Sequence, residues 1–187
     1  MTLERRPLVL KSSVLVASLG MLATLLPVSS ALADAAVPPA DRLRQELAAR
    51  GPQGLTDRAY HRGVVRHVVL FRYKPDTTPE AKAEIKKRFL ALKQLCQRDG
   101  KPYIVSLETG AQSSGEGVDQ GLEQSFIVTF ASEGDRNYYV GQPVVSDARH
   151  YDAAHQAFKD FVGPHLHEPI NPTGVVVFDF QVEPGAK

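Results

Sequence analysis

The sequence predicts an α+β domain of the ferredoxin-like type, in which elements follow the order strand, helix, strand, strand, helix, strand. Three observations predict it. A β-branched run covers residues 64–73, an apolar helical stripe follows it, and the chain closes on a second β-branched run at 175–180. This order gives a four-stranded antiparallel sheet with both helices on one face.

The opening strand, residues 64–73, alternates with period two, so its side chains divide between two faces. Both faces are partly apolar, which predicts a strand that is covered on both sides. The face of most interest contains an imidazole among apolar and aromatic side chains: Val65, His67, Val69, Phe71 and Tyr73.

The first helix is predicted to begin after Thr77 or Thr78, with Pro79 in its first turn, and to end at Asp99-Gly100. Its apolar residues recur at helical spacing and form one face: Ala81, Ile85, Phe89, Leu92 and Cys96. Cys96 is the single cysteine, so an intrachain disulfide is excluded, and its place on this stripe predicts a buried structural thiol.

The remaining elements follow from the same patterns of β-branched runs, helical spacing and breakers. A loop rich in Gly, Ser and Gln separates the two middle strands, and Gly141-Gln142-Pro143 breaks the second helical region into two pieces. The predicted ranges are strands 104–108 and 124–130, helical pieces 135–140 and 152–162, and a last strand at 175–180.

The first and third strands place an apolar group on one face, namely Val69, Phe71, Phe126 and Val128. We expect the helices to leave this face uncovered, and an exposed apolar face of that size indicates a partner. Two such sheets facing each other close a dimeric α/β barrel, which predicts a homodimer.

Residues 1–33 have the three parts of a cleavable export signal: a basic start, an apolar stretch and small residues before the cut. Ala31 and Ala33 predict cleavage between Ala33 and Asp34 and delivery to the periplasm or the exterior, by the general route in preference to the twin-arginine route that Arg5-Arg6 suggests. The expected order is then a leader with a short helix at 34–62, the domain at 63–182 and a tail at 183–187.

Charge and motifs exclude several classes of function. After residue 33 the chain has 19 basic and 20 acidic residues, without the basic patch of a nucleic-acid binder. The apolar stretch of the signal falls short of the roughly 20 residues that cross a bilayer, and no other segment is a candidate. His165 and His167 lack a third ligand and lie between Pro164 and Pro169, so we predict no metal site and no cofactor.

Four segments in order resemble the stress-responsive dimeric α/β barrel (Dabb) family. They are the opening strand with its His and basic end, the third strand, the His-containing start of the second helix and the closing strand: residues 65–74, 126–130, 154–158 and 177–180. The resemblance covers about residues 64–181. It implies a ferredoxin-like homodimer with a barrel cavity.

The resemblance also implies a site, because a plant polyketide cyclase is similar to this family. Its pocket residues correspond to His67, Tyr139 and His155, while Gln124 stands where that cyclase has a further His. About ten extra residues, 141–150, separate the Tyr and His positions. His67 then acts as an acid–base group, and the predicted ligand contacts are Val69, Phe71, Gln124, Phe126 and Val128.

Three functions remain open from the sequence. The first is binding of a small hydrophobic or aromatic molecule, with cofactor-free proton transfer of the cyclase or lyase type if the protein is an enzyme. The second is a non-catalytic stress or structural dimer, in which His67 is a buried histidine that orients the fold. The third is a monooxygenase of the dimeric barrel type, which shares the fold by analogy alone.

Overall fold

Strand β1 (Arg62–Phe71) lies inside a four-stranded antiparallel sheet of order β4-β5-β1-β6. The computed structural model describes residues 37–185. The predicted signal at 1–33 and its cleavage site lie outside these residues. The other strands of the sheet are β4 (Ser106–Ala111), β5 (Gln124–Ser132) and β6 (Val175–Gln181).

Within residues 37–185, four α-helices accompany the sheet: α1 (Pro39–Leu55), α2 (Pro79–Leu95), α3 (Glu133–Val140) and α4 (Ala153–Val162). A small hairpin, β2 (Gln97–Arg98) and β3 (Lys101–Pro102), joins α2 to the second long strand and was not predicted. With this hairpin and α1 set aside, and with α3 and α4 counted as the two pieces of the second helical region, the order is βαββαβ. The predicted α+β, ferredoxin-like fold class is confirmed.

Helix α2 begins where the sequence predicts, but it ends at Leu95, before the predicted end at Asp99-Gly100, because those two residues form the turn of the hairpin. Thr78 is the N-cap, and its hydroxyl accepts a hydrogen bond from the Ala81 amide. Ile85, Phe89, Leu92 and Cys96 are buried against the sheet. Burial raises the pKa of the Cys96 thiol, as expected for a thiol that packs as a small apolar group.

The prediction that the face of Val69, Phe71, Phe126 and Val128 is left uncovered is wrong. Helices of the same chain cover it, since the Phe89 ring of α2 stacks on Phe126 with centroids 3.8 Å apart. Phe126 and Val128 are fully buried in the core between sheet and helices. Both faces of β1 are apolar, so the alternation did not indicate which one the helices would cover.

The opposite face of the sheet is the one that remains open. Phe178 pairs in register with Val68 of β1, which in turn pairs with Ile127 of β5, so these side chains share that face. Phe178 is 65% exposed, and further exposed apolar residues on the same face are Val64, Val176 and Phe180. We call Val64, Val68, Ile127, Val176, Phe178 and Phe180 the open sheet face.

Helix α1 belongs to the leader segment, and its end packs into the domain. Leu55 and Tyr60 form a small second core with Val145 of the inserted segment 141–150, and Leu43, Leu47 and Val144 pack against it. The Asn137 amide donates to the Leu55 carbonyl over 2.9 Å. The Arg98 guanidinium donates to the Thr56 carbonyl over the same distance. The leader and the insertion therefore support each other on one side of the domain.

Candidate functional site

A cavity of about 470 Å³ lies between the β1–β6 half of the sheet and helices α3 and α4. Volumes of this size are typical of small-molecule sites. Its walls are mainly apolar, and its polar side chains are seven: His67, Arg136, Asn137, Gln142, His155, Lys159 and Asp179. The register of β1 and β6 orders the floor, because His67 pairs with Asp179, Val69 with Val177 and Phe71 with Val175. The floor is thus polar at one end and apolar at the other.

His67 is 4% exposed and points from β1 into the space between the sheet and the helices. Its Nδ1 lies 2.6 Å from Oδ1 of Asp179, on the neighbouring strand. A carboxylate only accepts, so Nδ1 of neutral His67 carries the proton and Nε2 keeps its lone pair. This is the arrangement of a histidine that is oriented to act as a base.

Asp179 is itself held by a second partner, because the Arg136 guanidinium of α3 donates to Oδ2. Burial by itself would raise the pKa of Asp179, but the hydrogen bond from His67 and the charge of Arg136 outweigh it and lower the pKa. Asp179 therefore stays ionised in the polar wall of the cavity. Neither Asp179 nor Arg136 was among the predicted site residues, although Asp179 is the single charge in the β-branched run 175–180.

His155 lies in the first turn of α4, where the N-cap Asp152 accepts hydrogen bonds from the amides of Ala154 and His155. Its Nδ1 donates to the Tyr139 carbonyl over 2.6 Å. Burial and the nearby Lys159 ammonium hold the pKa of His155 well below its usual range. His155 is therefore neutral at pH 7, and it lines the cavity.

Tyr139 is 1% exposed and lies between the two histidines, stacked on His155 and edge-on to His67 at 5.7 Å between ring centroids. Among the described residues its hydroxyl has no hydrogen-bond partner. Tyr139 does not border the cavity. Its ring packs against both histidine rings. A catalytic role for its hydroxyl stays a prediction.

The structure places some of the predicted ligand contacts in the cavity wall and others away from the cavity. Val69 and Phe71 line the cavity, whereas Phe126 and Val128 are buried in the core beside it, on strand β5. The Gln124 amide donates to Thr109 Oγ1 and the Gly110 carbonyl and so joins β5 to β4, away from the cavity. Of the three predicted catalytic residues, His67 and His155 reach the cavity wall.

Lys159, one turn after His155 on α4, is a further polar group that the sequence analysis missed. Its ammonium donates to the carbonyls of Val140 and Gln142 at 3.0 and 3.2 Å, which uses two of its three protons. Burial lowers the pKa of Lys159. Its third proton has no acceptor among the described residues.

The model of the stress-responsive A/B barrel domain matches residues 65–182. The chain belongs to this family. No curated protein matches it. Within residues 37–185 no group of His, Cys, Asp and Glu has the geometry to hold a metal ion, and none of the helices there has the length and apolarity to cross a membrane.

Several solved structures are similar to the chain. A protein from Arabidopsis thaliana has 24% identity over 64% of this chain and 95% of its own, with a TM-score of 0.49. A hydroxynitrile lyase from Passiflora edulis has 18% identity over 65% and 95%, with the same TM-score. A dimeric ferredoxin-like protein of unknown function from Jannaschia has 16% identity over 64% and 100%, with a TM-score of 0.48.

Proposed function

We propose that this protein binds a small, largely apolar carbonyl compound in its cavity and moves a proton on it with His67 as the base, without a cofactor. The observation that carries the proposal is the 2.6 Å hydrogen bond from His67 to Asp179 in the polar wall of an otherwise apolar cavity. The apolar walls of the cavity favour a ligand that is largely apolar, and the oriented imidazole determines where the reacting carbon of that ligand must lie.

In the proposed step, His67 Nε2 removes a proton from the carbon next to the carbonyl. The C–H electron pair forms the new C=C bond, and the carbonyl π pair moves to oxygen as an enolate. Asp179 stabilises the imidazolium that forms, and the Lys159 ammonium donates its third proton in a hydrogen bond to the enolate oxygen. Return of the proton from His67 to the same carbon or to another atom completes the cycle with no net oxidation.

Acetophenone is a suitable probe, because it is aromatic and carries exchangeable protons next to its carbonyl. We expect calorimetry to detect its binding and NMR in D₂O to show loss of its methyl signal faster than in buffer. His67→Gln should slow the catalysed exchange at least about 100-fold, the lower end of what a positioned base contributes, while binding persists. Binding with no catalysed exchange in the wild type would leave a ligand-binding protein without this chemistry.

We also propose that a second copy of the chain covers the open sheet face and completes the barrel. The support is the exposure of Phe178, Phe180, Val64 and Val176 on a sheet whose other face is already covered by helices. A contiguous apolar surface of this kind is typical of an interface.

Export is a third part of the proposal, and it rests on the sequence of residues 1–33 alone. We expect the intact mass of the protein recovered from the periplasm or the medium to match a chain that begins at Asp34. Recovery of the full-length mass from the cytoplasm alone would contradict it.

A further inference from the structure

Four apolar residues of the cavity wall belong neither to the sheet nor to helices α3 and α4 but to two segments that pack on each other, and we call them the roof: Leu43, Pro143, Val144 and Val145. Leu43 belongs to helix α1 of the leader, and the other three belong to the inserted segment 141–150. Leu43 precedes the stretch that matches the family, which starts at residue 65. The roof therefore combines a residue from outside the family match with three residues from within it.

The roof has its own packing, independent of the core between sheet and helices. Val145 is fully buried with Leu55 and Tyr60, and Leu43, Leu47 and Val144 pack on that group. Val145 and the neighbouring Leu55 have no exposed surface at all. Side chains held this firmly define a fixed wall for a ligand, because close-packed groups do not move aside without a cost.

Polar contacts fasten both parts of the roof to the helices that carry the site. Lys159 of α4 donates to the Gln142 carbonyl next to the roof over 3.2 Å. Arg42, the neighbour of Leu43, lies 3.6 Å from the Glu133 carboxylate of α3. The position of the roof is thus coupled to the helices on which Arg136, His155 and Lys159 lie.

We infer that the roof sets the upper size of the ligand and that Leu43 is a specificity-determining residue. The inference rests on the proposed function, since it names what limits the compound that the cavity accepts. Leu43 faces the cavity and is half-buried, so removing its isobutyl group enlarges the space available to a ligand, and an aromatic ring in its place reduces that space.

The test uses the full chain and two aryl methyl ketones of different size, acetophenone and 2-acetylphenanthrene, with binding measured by calorimetry. The readout is the ratio of the two dissociation constants. We expect Leu43→Ala to shift the ratio at least tenfold toward the larger ketone, and Leu43→Phe to shift it at least tenfold toward the smaller.

Leu47→Ala is the matched control, because Leu47 packs on the same small core and does not line the cavity. It should lower stability by an amount similar to Leu43→Ala and leave the ratio unchanged. If both ketones bind and the Leu43 variants keep the wild-type ratio, or Leu47→Ala shifts it equally, the role of the roof is overturned and the proposed function stands. If neither ketone binds any of these proteins, the proposed function fails and the role of the roof fails with it.

Discussion

His155 and Tyr139 stack with ring centroids 3.7 Å apart and ring planes 16° from parallel, although the inserted segment 141–150 separates them in the chain. The insertion leaves α3 at Gly141 and returns where the Asp152 amide donates to the Tyr138 carbonyl over 2.9 Å. The two ends of the insertion therefore lie together. Its residues extend over the cavity without separating the two rings.

Two buried tyrosines differ in the hydrogen bonding of their hydroxyl groups, so removing each hydroxyl should change stability by a different amount. The Tyr139 hydroxyl has no partner among the described residues, whereas the Tyr103 hydroxyl donates to Asp152 over 2.8 Å. Tyr103→Phe should lower the free energy of unfolding by about 2 kcal/mol, because it leaves a buried carboxylate oxygen with one bond fewer. Tyr139→Phe should be close to neutral in urea denaturation.

The Tyr139→Phe variant also tests whether the Tyr139 hydroxyl takes part in the reaction or the ring only packs against the histidines. A stable Tyr139→Phe protein with the wild-type rate of acetophenone exchange limits Tyr139 to packing the histidines. A stable protein with a much lower rate would assign its hydroxyl to the reaction. Equal loss of stability in both tyrosine variants would contradict the difference in their hydrogen bonding.

The buried His155 predicts a dependence of stability on pH. Its folded pKa lies well below 6.5, its ordinary value, so between these two values the unfolded chain binds more protons than the folded one. Stability is unaffected by His155 above about pH 7 and falls as the pH decreases below 6.5, by at most about 1.4 kcal/mol per pH unit. Urea denaturation of the wild type and of His155→Gln between pH 7.5 and 5 measures this contribution.

The expected result is a smaller loss on acidification in His155→Gln than in the wild type. His150→Gln, in the inserted segment, is the control and should follow the wild type. Parallel curves for the wild type and His155→Gln would show that His155 takes up its proton equally in the folded and unfolded chain.

Local patterns predicted the elements, and contacts between distant segments decided the site. The cap at Thr78 and the stripe that ends at Cys96 act within a few residues, so the start and the buried face of helix α2 were predicted correctly. The partner of His67 depends on the register of β6 beside β1, which places Asp179 opposite it. Leu43 reaches the cavity only because the leader packs on the insertion, and no periodicity within either segment indicates that.

The ion pair between Arg136 and Asp179 predicts a loss of stability when either charge is removed. Asp179→Asn leaves the Arg136 guanidinium, about one-tenth exposed, with Glu133 at 3.7 Å as its remaining acidic neighbour. We expect a loss of about 2 kcal/mol, less than for a fully buried pair because Asp179 is about one-fifth exposed. Urea denaturation measures it.

Two further variants test whether the loss in Asp179→Asn comes from the unpaired charge. The double variant Arg136→Met/Asp179→Asn should cost less than the sum of the single changes by at least about 1 kcal/mol, since the two residues are in contact. Glu84→Gln removes a carboxylate from an exposed pair with Arg88 and should leave the free energy of unfolding unchanged, because solvent screens exposed pairs. Additive single effects would mean that the pair is not coupled.

The open sheet face predicts that one charge abolishes self-association. Phe178 is 65% exposed and pairs in register with Val68 of β1, which in turn pairs with Ile127 of β5. An aspartate there would have to be buried against the second copy, which costs several kcal/mol without a partner of opposite charge. Phe178→Asp should therefore run as a monomer in native mass spectrometry and light scattering, while the wild type runs as a dimer.

Leu95→Asp is the matched control for this prediction, because Leu95 is an equally exposed apolar residue, 61%, at the end of helix α2 and away from the sheet. It should leave the dimer intact. The His67–Asp179 pair and the cavity lie within one chain, on the helix side of the sheet, so acetophenone should still bind to monomeric Phe178→Asp. Dimers that survive in Phe178→Asp, or that are lost in Leu95→Asp, would place the interface elsewhere on the chain.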